Sequence, residues 1–113
     1  MRPKAELLPG TLGLLILKAV SLSPQHGYGV MQGIHQITGG ALSIEQGALY
    51  PALYRLERQG LLLAEWGTSD TNRRAKFYRL TAAGRKRMGE EAASWNRLVA
   101  AMAAVLNSRR EEF

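Results

Sequence analysis

Residues 43–60, SIEQGALYPALYRLERQG, decide the fold. Ser43 and Gln46 have the spacing of a capping box, in which two side chains satisfy free backbone N–H groups at a helix start. Leu49, Leu53 and Leu56 then recur at helical spacing and form one apolar stripe. At about 100° per residue, the opposite face carries Gly47, Pro51, Tyr54, Arg55 and Arg58. That face has two arginines, a tyrosine and no carboxylate, and Glu57 sits on its flank. Such a helix suits a phosphate-lined groove. Pro51 loses a hydrogen bond and crowds the carbonyl of Gly47, whose missing Cβ is expected to let the backbone bend. A helix that begins at Pro51 is the competing reading. It leaves Ser43 and Leu49 without a role, so the pattern favours one slightly bent helix over 43–59.

Composition bounds the partners. The 113 residues suffice for one small domain with a modest core. With 46% hydrophobic and 21% charged residues, the chain has an ordinary globular balance. It has no cysteine, which excludes a disulfide framework and the usual cysteine-based zinc sites. The net charge of +6 points to a polyanion. Residues 55–87 hold nine basic side chains against three acidic ones, a surplus equal to that of the whole chain. The plainer alternative is a solvated basic face. Near the N-terminus an apolar run is interrupted by Lys18, has no small-residue cleavage site, and falls short of the ~20 residues a membrane span needs. The expectation is a soluble, cytoplasmic protein with no membrane partner.

Outward from the central stretch, residues 1–10 read as an arm, with Arg2 and Lys4 as possible phosphate contacts. Thr11 is placed to cap a helix running to about Ser21, with Leu12, Leu15, Ile16 and Ala19 facing the core. Leu14 and Leu17 load a second face, for which a partner subunit is the natural cover. A second helix is expected from about His26 to Thr38, with Tyr28, Met31, Ile34 and Ile37 inward and Gly39-Gly40 as its stop. Glycines 27, 29 and 33 do not fit a dinucleotide motif. His26 and His35 lack neighbouring ligand types and read as structural. Beyond Gly60, strands over 61–66 and 75–80 flank a turn and form a hairpin. Arg73, Arg74 and Lys76 fall near its tip, where they would follow a sugar-phosphate edge or merely keep an edge strand soluble. Trp66 and Phe77 read as hairpin packing.

Thr81 caps a last helix, its first turn loosened by Gly84. Met88, Ala92, Trp95, Val99, Met102 and Leu106 follow at spacings of 4, 3, 4, 3 and 4, the seam of a coiled coil. A helix over 82–107 would be about 39 Å long, too long to pack wholly on its own domain. This predicts a homodimer, with Leu14 and Leu17 of the first helix as the rest of the interface. The competing reading folds the helix back over its own core. The fold class is therefore mainly α with a small β-hairpin. A winged helix-turn-helix over 1–80 carries a C-terminal dimerisation helix over 81–113. Within it, residues 43–59 are the second of the turn-linked helices, the one that enters a major groove of double-stranded DNA. Gln46 has the chemistry to read adenine, and the Ala48 methyl to meet a thymine methyl.

The sequence resembles the PadR-like family of bacterial transcriptional regulators, in its short form with a single C-terminal helix. The resemblance rests on three stretches: His26-Gly27-Tyr28, then residues 47–57 (GALYPALYRLE), then residues 73–84 (RRAKFYRLTAAG). With the LLPGTLGLLILKAV start, it spans nearly the whole chain. It implies a homodimeric repressor on a roughly palindromic operator. It also implies DNA contacts from Ser43, Gln46, Ala48, Tyr50, Tyr54, Arg55, Arg73, Arg74 and Lys76. Gly13 departs from the family, where an acidic residue is common. Similar regulators are thought to sense aromatic or hydrophobic effectors at the dimer interface, which makes Trp95 either a ligand platform or dimer core. No catalytic set, cofactor site or metal-ligand cluster stands out.

Overall fold

Helix α1 (Thr11–Leu22) leads into a two-residue strand β1 (Gln25–His26), then α2 (Gly27–Ile37) and α3 (Gln46–Arg58). Strands β2 (Leu62–Thr68) and β3 (Arg74–Leu80) form the wing, and α4 (Ala82–Leu106) follows. A computed structural model describes residues 10–113, so the proposed arm contacts Arg2 and Lys4 lie outside the described residues. The order is that of a winged helix-turn-helix. One strand was not legible in the sequence: β1 pairs antiparallel with β3, Gln25 opposite Tyr78 and His26 opposite Phe77, giving the sheet order β1-β3-β2. Two residues are too few to show an alternating pattern.

The core joins all three small helices to the sheet. Ile16, Leu17 and Val20 of α1 meet Val30 and Ile34 of α2, Leu49, Ala52, Leu53 and Leu56 of α3, and Leu62 and Tyr78 of the wing. The Leu49/Leu53/Leu56 stripe expected of α3 is thus its buried face. Leu17 is fully buried within the chain, so the expectation that it meets a partner subunit is corrected: the protomer's own core consumes it. Met88 is likewise packed against this core. In α2 the inward side is Val30 and Ile34, with Met31 beside them. Tyr28 and Ile37, expected inside, are exposed: Tyr28 lies off the Val30–Ile34 face, and Ile37, on that face, ends the helix at an open groove against α1.

Helix starts also differ from expectation. Glu45, not Ser43, is the N-cap of α3, and no side chain caps it; the Glu45 carbonyl accepts from Ala48 and Leu49. The helix does run unbroken through Pro51, which falls in its second turn. A Cβ on Gly47 would meet nothing within 4 Å outside the helix's own backbone. Gly10, in the left-handed region, stands at the N-cap of α1, where Thr11 was expected to cap. The His26 ring caps α2, its Nδ1 accepting from Gly29 N–H at 3.0 Å. Thr81 caps α4 as expected, its Oγ1 accepting from Gly84 N–H at 2.9 Å and donating to the Gly60 carbonyl at 2.7 Å. Gly84 does not loosen that turn. It is buried, and a Cβ there would strike the Leu61 carbonyl.

The far half of α4 stands clear of the body. Trp95, Leu98, Val99, Met102, Val105 and Leu106 are exposed along it. Leu98 and Val105 widen the expected seam into a broader apolar stripe of helical period. No helix among the described residues is long and apolar enough to cross a membrane.

Candidate nucleic-acid interface

With its stripe buried, α3 turns Gln46, Ala48, Tyr50, Tyr54, Arg55 and Arg58 outward, all exposed. Arg58 leans over the Tyr54 ring, 5.7 Å from its centre. Ser43 is exposed on the segment leading into the helix. Tyr50 and Glu57 occupy the flank that faces the wing, Ala48 and Arg55 the other. The face has the character expected of it: polar, aromatic and cationic.

The wing supplies the second wall. The turn between β2 and β3 closes through Ser69 N–H to the Arg73 carbonyl, 2.8 Å, and Asn72 N–H to the Ser69 carbonyl, 2.9 Å. Asn72 takes φ 59°, a left-handed conformation that asparagine tolerates better than most residues. In the register, Thr68 opposes Arg74, Trp66 opposes Lys76 and Ala64 opposes Tyr78. Opposed residues share a sheet face, so Trp66, Arg74 and Lys76 lie on one side with the core-facing Tyr78.

Between α3, the start of α2 and this face lies an open cleft of about 820 Å³, lined among others by Tyr28, Tyr50, Trp66, Arg73, Arg74 and Lys76. Of the three cations expected near the tip, Arg73 and Arg74 are there, but Lys76 is not. It lies two residues further along β3, and its Nζ donates to Glu57 Oε1 of α3 at 3.1 Å. That hydrogen bond raises its pKa above the ordinary lysine value, against a smaller opposing effect of desolvation. Burial pushes the Tyr78 phenol up as well, with the Lys76 charge opposing it. Arg74 is spread over the Trp66 ring, 4.7 Å from its centre.

The sequence brought the right elements together but missed part of the cleft. Trp66, read as packing, is 61% exposed under Arg74. Strand parity carries that signal, since Trp66 shares its face with two cations. Tyr28 and Gln32 were also missed, because the helical period alone does not fix the rotation of α2. No group of three acidic or histidine side chains able to hold a metal occurs among the described residues.

Known proteins match this arrangement. The model of the family described as transcriptional regulator PadR-like matches residues 16–90. A PadR-family transcriptional regulator of Eggerthella lenta is 32% identical, with 88% of this chain and 85% of that one covered at a TM-score of 0.76. A Streptococcus mutans protein of known crystal structure is 30% identical, covering 96% of this chain and 94% of its own at a TM-score of 0.77. An uncharacterised 37.1 kDa protein carried in a Streptomyces fradiae transposon is 39% identical over 87 residues, 75% of this chain. This chain spans 23% of that relative's length.

Proposed function

The chain belongs to the PadR-like family of transcriptional regulators, a family of DNA-binding proteins and not of enzymes, and from that premise we propose that it is a cytoplasmic, homodimeric, sequence-specific repressor. The observation that carries the reading is the outward face of α3 beside the cationic wall of the wing. Helix α3 enters the major groove, with Gln46, Ala48 and Tyr54 against base edges. Ser43, Tyr50, Arg55, Arg73 and Arg74 hold the sugar-phosphate edge. Two copies joined through residues 81–113 present two α3 helices to the halves of a roughly palindromic operator. Support for the dimer comes from the exposed stripe on α4, which includes Trp95, Val99, Met102 and Leu106. Leu14 of α1 and Ala92 of α4 are half-buried, so each keeps some surface for a partner. An apolar groove of about 360 Å³ between α1 and α2, lined by Leu15, Ala19, Leu22 and Ile37, offers further surface.

The test is fluorescence anisotropy on a labelled duplex from the chain's own upstream region, against a shuffled duplex of equal length, across a salt series. A preference for the native duplex that survives rising salt is the expected result. No binding to either duplex at low salt would remove the DNA reading.

One observation favours a second role alongside the first. Trp95 is 38% exposed near the middle of α4, where the exposed stripe begins, so a planar aromatic or hydrophobic effector stacked there between two copies would couple ligand binding to DNA release. Quenching of tryptophan emission by such a compound should disappear in Trp95→Ala and persist in Trp66→Phe. Quenching that followed Trp66 instead would remove this role.

A further inference from the structure

In most readings of a basic wing, each cation is counted toward the phosphates. The cleft counts differently. Lys76 Nζ lies 3.1 Å from Glu57 Oε1, with both side chains about one-third exposed. Their partner-facing geometry is fixed from two elements: Glu57 stands on the last turns of α3, and Lys76 is held opposite Trp66 in the wing. The ammonium also lies 5.9 Å from the centre of the Tyr78 ring, whose own position is set by burial in the core. Glu65, the acid in an ion pair within the wing itself, meets Arg79 at 3.7 Å on the opposite face of the sheet. Glu57 is therefore the carboxylate that reaches Lys76 from α3, while Asp70, in the turn at the wing's tip, lines the cleft without an ion pair to Lys76.

We propose that Glu57 is a specificity-determining residue: by holding Lys76 against α3 it withholds that cation from phosphates and keeps sequence-independent DNA affinity low. This rests on the DNA-binding reading above. Nonspecific complexes live almost wholly on cation–phosphate contacts, so they are the ones that gain from an additional released cation. In a specific complex, base contacts by α3 fix one register, and the wing must stand where the Glu57–Lys76 pair sets it. That complex keeps the pair and gains nothing from its loss. The pair thus trades general affinity for discrimination.

The experiment compares wild type, Glu57→Gln, Glu65→Gln and Glu57→Gln/Lys76→Gln on two probes. One is a random-sequence duplex, and the other is the duplex that wild type enriches from a random pool. Glu57→Gln should bind the random duplex about two- to fivefold more tightly, the range set by the worth of a partly exposed ion pair. Its salt slope on that duplex should steepen by about 0.9 per protomer, one phosphate contact. Affinity for the enriched duplex should not rise, so the ratio falls. The double variant should lose the gain. An equal gain in Glu65→Gln would reduce the effect to net charge and overturn the proposal. A gain that survives Lys76→Gln, or a loss on both duplexes, would overturn it too, the latter by making the pair only a structural brace. Wild type that binds no duplex would instead sink the DNA reading, a separate outcome.

Discussion

The Tyr50 ring occupies the space that a side chain on Gly27 would need: its Cε1 lies 2.7 Å from where that Cβ would stand. The first residue of α2 and the wing-facing flank of α3 are thereby fitted to each other at the floor of the cleft. Gly27 has ordinary helical geometry, so alanine there would gain helix propensity. The ring end of Tyr50 is what must give way. Gly27→Ala is expected to change stability by under ~1 kcal/mol, since a flexible side chain absorbs the clash. It should nonetheless weaken operator binding by displacing the Tyr50 hydroxyl. Thermal melts beside anisotropy titrations check both halves, and a variant that binds as wild type does would remove Tyr50 from the interface.

Gly84 has the opposite character. It is buried at the start of α4, and an added Cβ would meet the backbone carbonyl of Leu61, with a Leu80 methyl at 2.8 Å. Backbone cannot swing aside, so the whole N-terminus of α4 would have to move off the junction between α3 and β2. That shift would also strain the Thr81 hydrogen bonds to Gly60 and Leu61, 2.7 and 3.1 Å. Gly84→Ala should cost about 1–3 kcal/mol, the range for overpacking a tight site, despite alanine's better helix propensity. A denaturant midpoint equal to wild type would contradict this.

These two glycines show where the sequence stops being legible. The α3 stripe, the Gly60 stop, the Thr81 cap and the order of the four helices and the hairpin follow from periodicity and local chemistry, and the structure keeps them. Tertiary approach does not follow from either. The sequence gives Gly84 the look of a weak helix start, whereas the close passage of Leu61 requires it. Leu17 reads as surplus on a second face because α1 packs against α3, β3 and α4, all distant in sequence. Ser43 loses the cap to Glu45 through backbone geometry alone, which a side-chain pattern does not encode. At the site, the outward residues of α3 were readable, but the partner of Lys76 was not: nineteen residues separate it from Glu57.

Arg74 differs from Lys76 in having an aromatic, not an anionic, partner. A guanidinium over the Trp66 ring keeps its charge uncompensated, and at an exposed site the contact is weak enough to yield to a phosphate. Arg74→Ala should therefore weaken every duplex similarly and flatten the salt slope by about 0.9 per protomer. A variant with the wild-type slope that loses only sequence preference would reassign Arg74 to base reading.

Alkaline pH should loosen the helix–wing angle. Lys76 has a pKa raised above 10.5, chiefly by the Glu57 hydrogen bond, so its contribution is fully present below that value. It is lost as pH rises through the folded-state pKa. Tyr78, raised above 10.0 chiefly by burial, binds its proton more tightly folded than unfolded, which again makes stability fall as pH climbs past 10.0. Both effects have the same sign. Melting temperature should decline above pH 10 and do so less steeply in Tyr78→Phe, followed by circular dichroism. A profile equally steep in that variant would remove Tyr78 from the effect.

The last prediction concerns the α4 stripe, where Met102 is 53% exposed among Leu98, Val99, Val105 and Leu106. An isolated helix with such a stripe exposes apolar area that a second copy would bury, and each carboxylate introduced there would be left unpaired in the interface. Met102 is remote from the α1–α2–α3 core, so Met102→Glu leaves the winged domain intact while opposing association. Light scattering at micromolar concentration should show wild type as a dimer and the variant as a monomer with an unchanged far-ultraviolet spectrum. Operator affinity should then fall by about 100-fold or more, because the second half-site is no longer engaged intramolecularly. Binding to a single half-site should survive. Wild type that scatters as a monomer would remove the dimer, and with it the palindromic operator. A dimeric Met102→Glu would move the interface off this stripe and onto the α1–α2 groove.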